Sequence, residues 1–245
     1  MHCAKVSITM RDQATQAPFA LPAKPVFNDP KTAVLAGLLR ERCGAVPGRM
    51  LVVGCGSGIE AAVLAQHLDT SVLGLDILPD FDAVAAACVE LRQGDATCME
   101  FPEASFDFVY SFHALEHIPE YRTALREIRR VLKPGGGYLV GTPNRRRLIG
   151  YLGAKDTSLR DKIRWNMADW KAMLRGRFRN ELGAHAGYTS DELRTELEAV
   201  FHCAHDITPD YYLRLYARRR ALVETLFNSG AWRWLVPAVY FYGTR

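Results

Sequence analysis

A glycine-rich turn between a short apolar strand and a helix is the feature that most constrains this chain. The run from Arg49 to Glu60 reads RMLVVGCGSGIE, with Gly54, Gly56 and Gly58 at alternate positions. Residues without a Cβ make such a turn without steric cost, and the first amides of the helix then point at a ligand. A dinucleotide-binding fingerprint needs a small residue at its sixth place, which here is Ile59. The turn therefore predicts a nucleotide-like cofactor before it predicts a reaction.

The apolar segments after this turn alternate with helical ones. The segment Val72 to Leu75 ends in Asp76, where a carboxylate can accept both hydroxyls of a ribose. Strands are expected near residues 50–54, 72–76, 88–91, 106–111 and 138–142. This alternation predicts right-handed crossovers and a parallel sheet that is covered on both faces.

The remaining elements are expected at both ends of this core. A first helix is expected from Lys31 to Cys43, and the longest helix over residues 119–132. Towards the end of the chain we expect a helix over 190–200 capped by Thr189 or Ser190, a strand near 203–207, a basic helix over 211–227 and a last strand over 238–242.

With these motifs in order, residues 31–145 resemble the class I S-adenosylmethionine-dependent methyltransferases, specifically the small-molecule branch called methyltransferase type 11. Residues from Tyr188 onward resemble them more loosely. The resemblance implies an α/β fold with a doubly wound, Rossmann-like sheet of seven mostly parallel strands and an antiparallel last strand, to which this chain adds a helical cap insertion. It also implies S-adenosylmethionine as the cofactor, and methyl transfer to a small-molecule, glycan or lipid-linked acceptor, with oxygen as the favoured atom.

The resemblance also implies where the cofactor contacts lie. The glycines would face the methionine part, Asp76 the ribose, Asp95 and Ala96 the adenine, and Ser111 would lie beneath the sulfonium. The predicted cofactor-binding set is Gly54, Cys55, Gly56, Gly58, Asp76, Ile77, Asp95, Ala96 and Ser111. Because only residues 78–89 separate the second and third strands, the helix there is expected to be short, and the adenine wall is the least defined part.

Length and composition fit a single domain. A chain of 245 residues with 49% hydrophobic content can bury one sizeable core. We expect a lead-in and first helix over 1–48, the cofactor-binding core over 49–144, the cap insertion over 145–187 and the C-terminal part of the sheet over 188–245. The polar start shows no signal-peptide pattern and the six cysteines form no C-x-x-C pair, so a cytoplasmic protein with reduced, mostly buried thiols is expected.

Three histidines are candidate bases. A sulfonium is a good leaving group, so alignment and exclusion of water can provide most of the rate, and no catalytic residue is mandatory. For an alcohol or amine acceptor, however, a base near neutral pKa helps to remove the proton. His113 and His117 follow the fourth strand, at the edge where open sheets place ligands, and the resemblance brings His185 over the acceptor pocket. For His117 the alternative is a packing role at the start of the helix, with Glu116 as a local cap.

The cluster of His113, Glu116 and His117 also has a metal interpretation. Some methyltransferases that modify quinols or RNA ends carry a similar Glu/His set at this loop. Here the first member is histidine and no fixed fourth ligand is visible, so no metal is predicted. A quinone or RNA-end methyltransferase with such a metal stays an alternative, as does a non-catalytic cofactor-binding scaffold of the same fold.

The segment Arg145 to Gly187 concentrates the positive charge. It contains eleven Lys and Arg against four Asp and Glu, whereas the whole chain has a net charge of +4. One interpretation is a solvated helix face over an ordinary apolar stripe. The other is attraction of an anionic acceptor, such as a phosphorylated glycan, a lipid-linked intermediate or a carboxylate.

Two other kinds of candidate partner are a lipid surface and nucleic acid. The runs Arg218 to Arg220 and Trp232 to Val236 could contact a lipid headgroup layer from the cytoplasmic side, although no apolar run is long enough to span a bilayer. Nucleic acid is not expected as a partner, because no binding module or stacking platform is visible.

Overall fold

The computed structural model describes residues 25–44, 47–151, 157–180 and 185–245. Residues 1–24 of the predicted lead-in lie outside the described residues, and so does the start of the chain on which the expectation of no signal peptide depends. Two parts of the predicted cap, 152–156 and 181–184, lie outside them as well. Seven strands form one sheet in the order β3-β2-β1-β4-β5-β7-β6. They are β1 Arg49–Val53, β2 Ser71–Asp76, β3 Glu90–Gln93, β4 Phe106–Phe112, β5 Leu132–Pro143, β6 His205–Asp206 and β7 Ala238–Thr244.

The strand directions confirm the predicted fold. Strands β1 to β5 pair in parallel, whereas β7 runs antiparallel to both β5 and β6. The α-helices among the described residues are α1 Pro30–Arg42, α2 Ile59–Leu68, α3 Ala83–Ala86, α4 Tyr121–Val131, α5 Leu159–Leu174, α6 Ser190–Phe201, α7 Thr208–Leu215, α8 Arg220–Asn228 and α9 Trp232–Leu235. Short 3-10 helices cover Leu115–His117 and Ala217–Arg219.

The core lies between the sheet and the helices that cover it. Strand β1 is buried from its second residue onward and β4 along most of its length, as expected for strands with neighbours on both faces. Helix α4 buries a stripe with a spacing of three to four residues, formed by Ala124, Leu125, Ile128 and Val131. Helix α6 begins with a capping box between Thr189 and Glu192, so the predicted cap at Thr189 is correct.

Four predicted elements differ from the structure. Strand β3 begins at Glu90, because the amides of Cys88 and Val89 still bond back to Ala85 after the four-residue helix α3. The strand expected over 203–207 is limited to two residues, since α7 begins at Thr208. The single basic helix over 211–227 is in fact α7 and α8, separated by a 3-10 turn. The longest described helix is α5, with 16 residues, rather than α4 with 11.

The cysteines also differ from the prediction. Of the five that the structure describes, Cys55 is buried, Cys43 and Cys203 are half-buried, and Cys88 and Cys98 are exposed. All five are free thiols, but the prediction that they are mostly buried is wrong. In the described part of the chain, no helix combines the length and the apolar character that a membrane span requires.

Candidate functional site

The glycine turn lies at the carboxyl edge of the sheet, between the end of β1 and the start of α2. Gly54 has a φ of 73°, and a Cβ built there would lie 2.2 Å from the Cβ of Ala114. At Gly58, with a φ of 85°, a Cβ would lie 2.5 Å from Cδ1 of Leu91. A Cβ on Gly56 would meet nothing within 4 Å. Packing therefore requires glycine at two positions, and the third leaves open space where a ligand can approach the backbone.

A buried carboxylate ties this turn to the first helix. Glu60, in the first turn of α2, accepts hydrogen bonds from the hydroxyls of Tyr110, at 2.6 Å, and Thr32, at 3.2 Å. Burial raises the pKa of the Glu60 carboxyl above its ordinary value. This contact could not be predicted from the sequence, because it joins residues that are distant in the chain, on α1, α2 and β4.

Asp76 faces the turn from the end of β2. Its Oδ2 accepts a hydrogen bond from the amide of Gly56 at 2.7 Å, and its Oδ1 accepts one from the amide of Leu78 at 3.1 Å. A carboxylate has about four acceptor positions, so two remain for the hydroxyls of a ligand. Ile77, next in the chain, exposes 63% of its surface at the same edge, which offers an apolar contact to a ribose or a base.

The loop after β3 supplies the far side of the site. The Asp95 carboxylate accepts hydrogen bonds from the amide and the hydroxyl of Thr97, at 2.7 and 2.8 Å, and these bonds hold its pKa below the ordinary value. Ala96 is half-buried beside it. The predicted shortness of the helix between β2 and β3 is confirmed, since α3 has four residues.

Ser111 lies on the central strand β4, in register with Val53 on one side and Val140 on the other. Its hydroxyl is buried and has no hydrogen-bond partner among the described residues. Because an unsatisfied buried hydroxyl is costly, it fits a position that a polar group of a ligand completes.

The three predicted histidines meet around one buried carboxylate. His113 directly follows β4 with a φ of 54°, a conformation rare for a residue with a side chain. Its Nδ1 lies 3.2 Å from Oε1 of Glu116, whose side chain is fully buried and whose Oε2 has no partner in the described structure. Nε2 of His117 is 3.9 Å from the same Oε1, and its ring is 4.5 Å from that of His185.

This arrangement corrects one prediction and adds a residue to the site. Glu116 makes no cap, because the 3-10 helix Leu115–His117 begins after Ala114 without a side-chain cap bond. The spacing of three residues between His113 and Glu116 is the sequence signal that could have paired them. Burial, and next the electrostatic effect of the neighbouring His117, lower the pKa of His185, so its neutral form is favoured near pH 7. Among the residues described, no three His, Cys, Asp or Glu side chains form a group that could hold a metal.

A cavity of about 660 Å³ adjoins His113 and His185 at the carboxyl edge of β4 and β5. Its wall is mostly aromatic and aliphatic, and much of it comes from α7, α8 and the start of β7. Representative lining residues are Phe112, Tyr151, Tyr211, Tyr212, Leu226 and Val236. A cavity of this size and character suits a small molecule with a large apolar part.

Arg147 is the basic residue of the described cap that lines this cavity, together with Lys31 from α1. Arg147 is 5% exposed, and its guanidinium donates to the carbonyl oxygens of His185 and Ala186 and lies 3.3 Å from the Asp169 carboxylate. Arg147 therefore links helix α5 to the segment of His185, and the Asp169 carboxylate balances its charge.

Comparison with known proteins agrees with this geometry. A family described as a methyltransferase domain matches residues 51–140. A Mycolicibacterium smegmatis protein named as a probable S-adenosylmethionine-dependent methyltransferase is 36% identical over 129 residues, which are 49% of this chain and 46% of that protein. The 27-O-demethylrifamycin SV methyltransferase of Amycolatopsis mediterranei is 34% identical over 116 residues, 44% of this chain and 42% of that protein. The chain thus spans less than half the length of these curated relatives.

A solved structure supports the fold over a larger part of the chain. The YcgJ protein of Bacillus subtilis superimposes with a TM-score of 0.52 at 18% identity, covering 86% of this chain and 97% of that chain. The family match contains the glycine turn, Asp76, Ser111 and the pair of His113 and Glu116. For residues 51–140 the predicted family is confirmed, and with it S-adenosylmethionine as the cofactor that the family uses. Residues 51–140 form a class I S-adenosylmethionine-dependent methyltransferase domain.

Proposed function

We propose that this protein transfers the methyl group of S-adenosylmethionine to an oxygen atom of a largely apolar small molecule. The observation that carries the proposal is the aromatic and aliphatic cavity at the carboxyl edge of β4 and β5, with His113 on its wall and a buried carboxylate next to that histidine. The name of the Amycolatopsis relative, which refers to 27-O-demethylrifamycin SV, supports a small-molecule acceptor and an oxygen atom.

The residues of the turn fit the proposed cofactor. The bare backbone at Gly56 would face the methionine part, and the open positions on the Asp76 carboxylate would accept the ribose hydroxyls. The adenine would lie between Ile77 and the loop of Asp95 and Ala96. The cofactor supplies a methyl group on a positively charged sulfur, which needs alignment and a dry surrounding more than covalent help.

His113 is the proposed base for the acceptor hydroxyl. With Nδ1–H directed at Oε1 of Glu116, Nε2 is left as the proton acceptor. The acceptor oxygen forms its bond to the methyl carbon as the carbon–sulfur bond breaks, and the hydroxyl proton passes to Nε2. The buried Glu116 carboxylate stabilises the imidazolium that results, as the orienting acid does in a hydrolase triad. His117 and His185 flank this pair in supporting positions.

The cavity favours an apolar acceptor over an anionic one. Of its two cations, Arg147 is paired with Asp169, and the other basic cap residues that the structure describes do not line the cavity. An acceptor with a lipid-like or polycyclic body and a hydroxyl at the reacting end fits the lining best. The positive charge of the cap therefore needs an explanation other than the attraction of an anionic acceptor into the site.

The test uses S-adenosylmethionine labelled in its methyl group and cell extract separated by polarity. We expect label to enter compounds that partition into organic solvent, and Asp76→Ala to abolish the transfer. Asp80→Ala, in the same exposed loop, is the matched control and should retain it. Label confined to water-soluble anions would contradict the apolar acceptor, and label in RNA or loss of transfer with a chelator would favour the metal-dependent alternative. Cofactor binding with no transfer to any fraction would favour the scaffold.

A further inference from the structure

The cap helix α5 exposes the face that an ordinary surface helix buries. Its large apolar side chains recur every three to four residues, which places them on one face of the helix. Their exposed fractions are 74%, 53%, 60%, 44% and 90% for Leu159, Ile163, Met167, Trp170 and Leu174. The buried residue of α5 is polar Asn166. The apolar stripe of this helix therefore faces away from the protein.

Hydrogen bonds connect this stripe to exposed residues near α9. The indole Nε1 of Trp170 donates to the carbonyl oxygen of Leu148 at 2.6 Å, and the amide of Leu148 donates to the carbonyl oxygen of Trp234 at 2.7 Å. Leu148 and Trp234 are each 47% exposed, and Leu235 is 45% exposed while it also lines the acceptor cavity. We call the α5 stripe together with Leu148, Trp234 and Leu235 the cap apolar surface. It reaches the wall of the cavity through Leu235.

Cations border the cap apolar surface. Arg160, Arg164, Lys171 and Arg175 each follow a residue of the stripe, so they lie about 100° around the helix from it. Arg164 pairs with Asp161 at 3.1 Å, whereas Arg160, Lys171 and Arg175 make no ion pair with any carboxylate of the described residues. An apolar stripe with aromatic residues and a cationic border is typical of helices that lie in the plane of a membrane interface.

The geometry points to a docking site for the surface of an anionic lipid bilayer. Leu159, Ile163, Met167 and Leu174 enter the boundary between headgroups and acyl chains, and the bordering cations contact lipid phosphates. The charge argues against a second copy of this chain as the occupant, because two copies would bring like charges together. Leu235 connects the docked surface to the cavity, which would give an apolar acceptor a route from the bilayer into the site. This route rests on the proposed function, whereas the docking itself requires no methyl transfer.

Vesicle sedimentation without cofactor tests the docking. The protein is mixed with vesicles of equal parts phosphatidylglycerol and phosphatidylcholine, or of phosphatidylcholine alone. We expect clear binding to the anionic vesicles and at least about ten-fold weaker binding to the neutral ones. The double variant Leu159→Glu and Leu174→Glu should lower the partition coefficient at least about ten-fold. Val26→Glu, at a position 83% exposed outside the surface, is the matched control and should change little.

The charge contribution is tested separately. Reversal of Arg160, Lys171 and Arg175 to Glu should lower binding to anionic vesicles more than about 100-fold, with Arg129→Glu on α4 as the control. Equal vesicle binding by wild type and the stripe variant, or no binding by wild type at millimolar lipid, would overturn the proposal. Self-association in the absence of lipid that the stripe variant abolishes would overturn it too, with a second copy as the occupant. The proposed function is tested separately, by measuring transfer of the labelled methyl group in the absence of vesicles.

Discussion

At the scale of the residue, His113 combines a strained backbone with a fixed side chain. A left-handed conformation at a residue with a side chain is held at a cost of about 1–3 kcal/mol, and such residues cluster at functional sites. The contact to Glu116 determines which imidazole nitrogen stays available. In the proposed reaction, the conformation at His113 orients the proton acceptor before any substrate arrives.

Substitution of this pair should affect the chemical step. We expect His113→Gln to lower kcat about 100- to 1,000-fold, because removal of a general base costs about two to four orders of magnitude, while the Kd for the cofactor changes little. Glu116→Gln should lower kcat by a smaller factor, since it keeps a hydrogen-bond acceptor and removes the charge. His67→Gln, at an exposed position on α2, is the matched control and should change kcat little. Steady-state kinetics with the identified acceptor give kcat, and a His113→Gln enzyme within about three-fold of wild type would remove His113 from the reaction.

The sequence predicted the three histidines as candidates but not their shared partner. Local sequence patterns predicted that His113 and His117 follow the fourth strand, and that the glycine turn follows the first. His185 and Tyr188 lie near Glu116 but are distant from it in the chain, so this part of its surroundings forms only through tertiary structure. From the sequence, Glu116 was therefore interpreted as a local cap or a member of a possible metal cluster.

At the scale of the element, the strands and helices of the cofactor-binding core were predictable and the acceptor side was not. Strands β1, β2 and β4 lie where apolar segments predicted them, because a parallel strand covered on both faces is apolar throughout. Strand β5 contains its predicted segment 138–142 but begins earlier, at Leu132, and its residues 133–135 are exposed. The break between α7 and α8 at the arginine run was missed, since helical periodicity continues across it. These two helices line the cavity, so its shape could not be inferred from sequence.

Arg147 holds parts of the cap together, since its partners Asp169, His185 and Ala186 all lie in the cap, and this contact can be measured. We expect Arg147→Ala to lower the free energy of unfolding by about 3–5 kcal/mol, because it leaves Asp169 and two carbonyl groups without their buried partner. The adjacent and exposed Arg146 is the matched control, and its substitution by Ala should change stability by less than about 0.5 kcal/mol. Urea unfolding measures both. Equal stability of the two variants would mean that the Arg147 cluster does not hold the cap together.

At the scale of the whole molecule, the strand order places the ligand edge between β1 and β4, where the crossovers change direction. The glycine turn, the end of β2 and the end of β4 meet there, although they are far apart in the chain. Every connection between the parallel strands therefore contributes to one site, and ligand binding should stabilise the sheet as a unit.

Cofactor binding should raise the melting temperature. A ligand at 100 times its Kd adds about 2.7 kcal/mol, which corresponds to about 5–10 °C for a chain of this size. We expect this shift with S-adenosylmethionine and with its demethylated product, and none with a nicotinamide dinucleotide. Asp76→Asn should reduce the shift, and Asp80→Asn should not. Differential scanning calorimetry measures it, and a larger shift with the dinucleotide would contradict the cofactor assignment.

The polar attachment of the cap helix has a consequence for local stability. Asn166 joins α5 to the preceding cap segment through hydrogen bonds with both backbone groups of Gly150, and Trp170 adds one more to Leu148. Bonds of this kind exchange for water at a net cost of about 0.5–1.5 kcal/mol each, far less than the separation of packed core helices. Local unfolding of α5 would thus break these three bonds and the Arg147–Asp169 pair, while the seven strands stay intact.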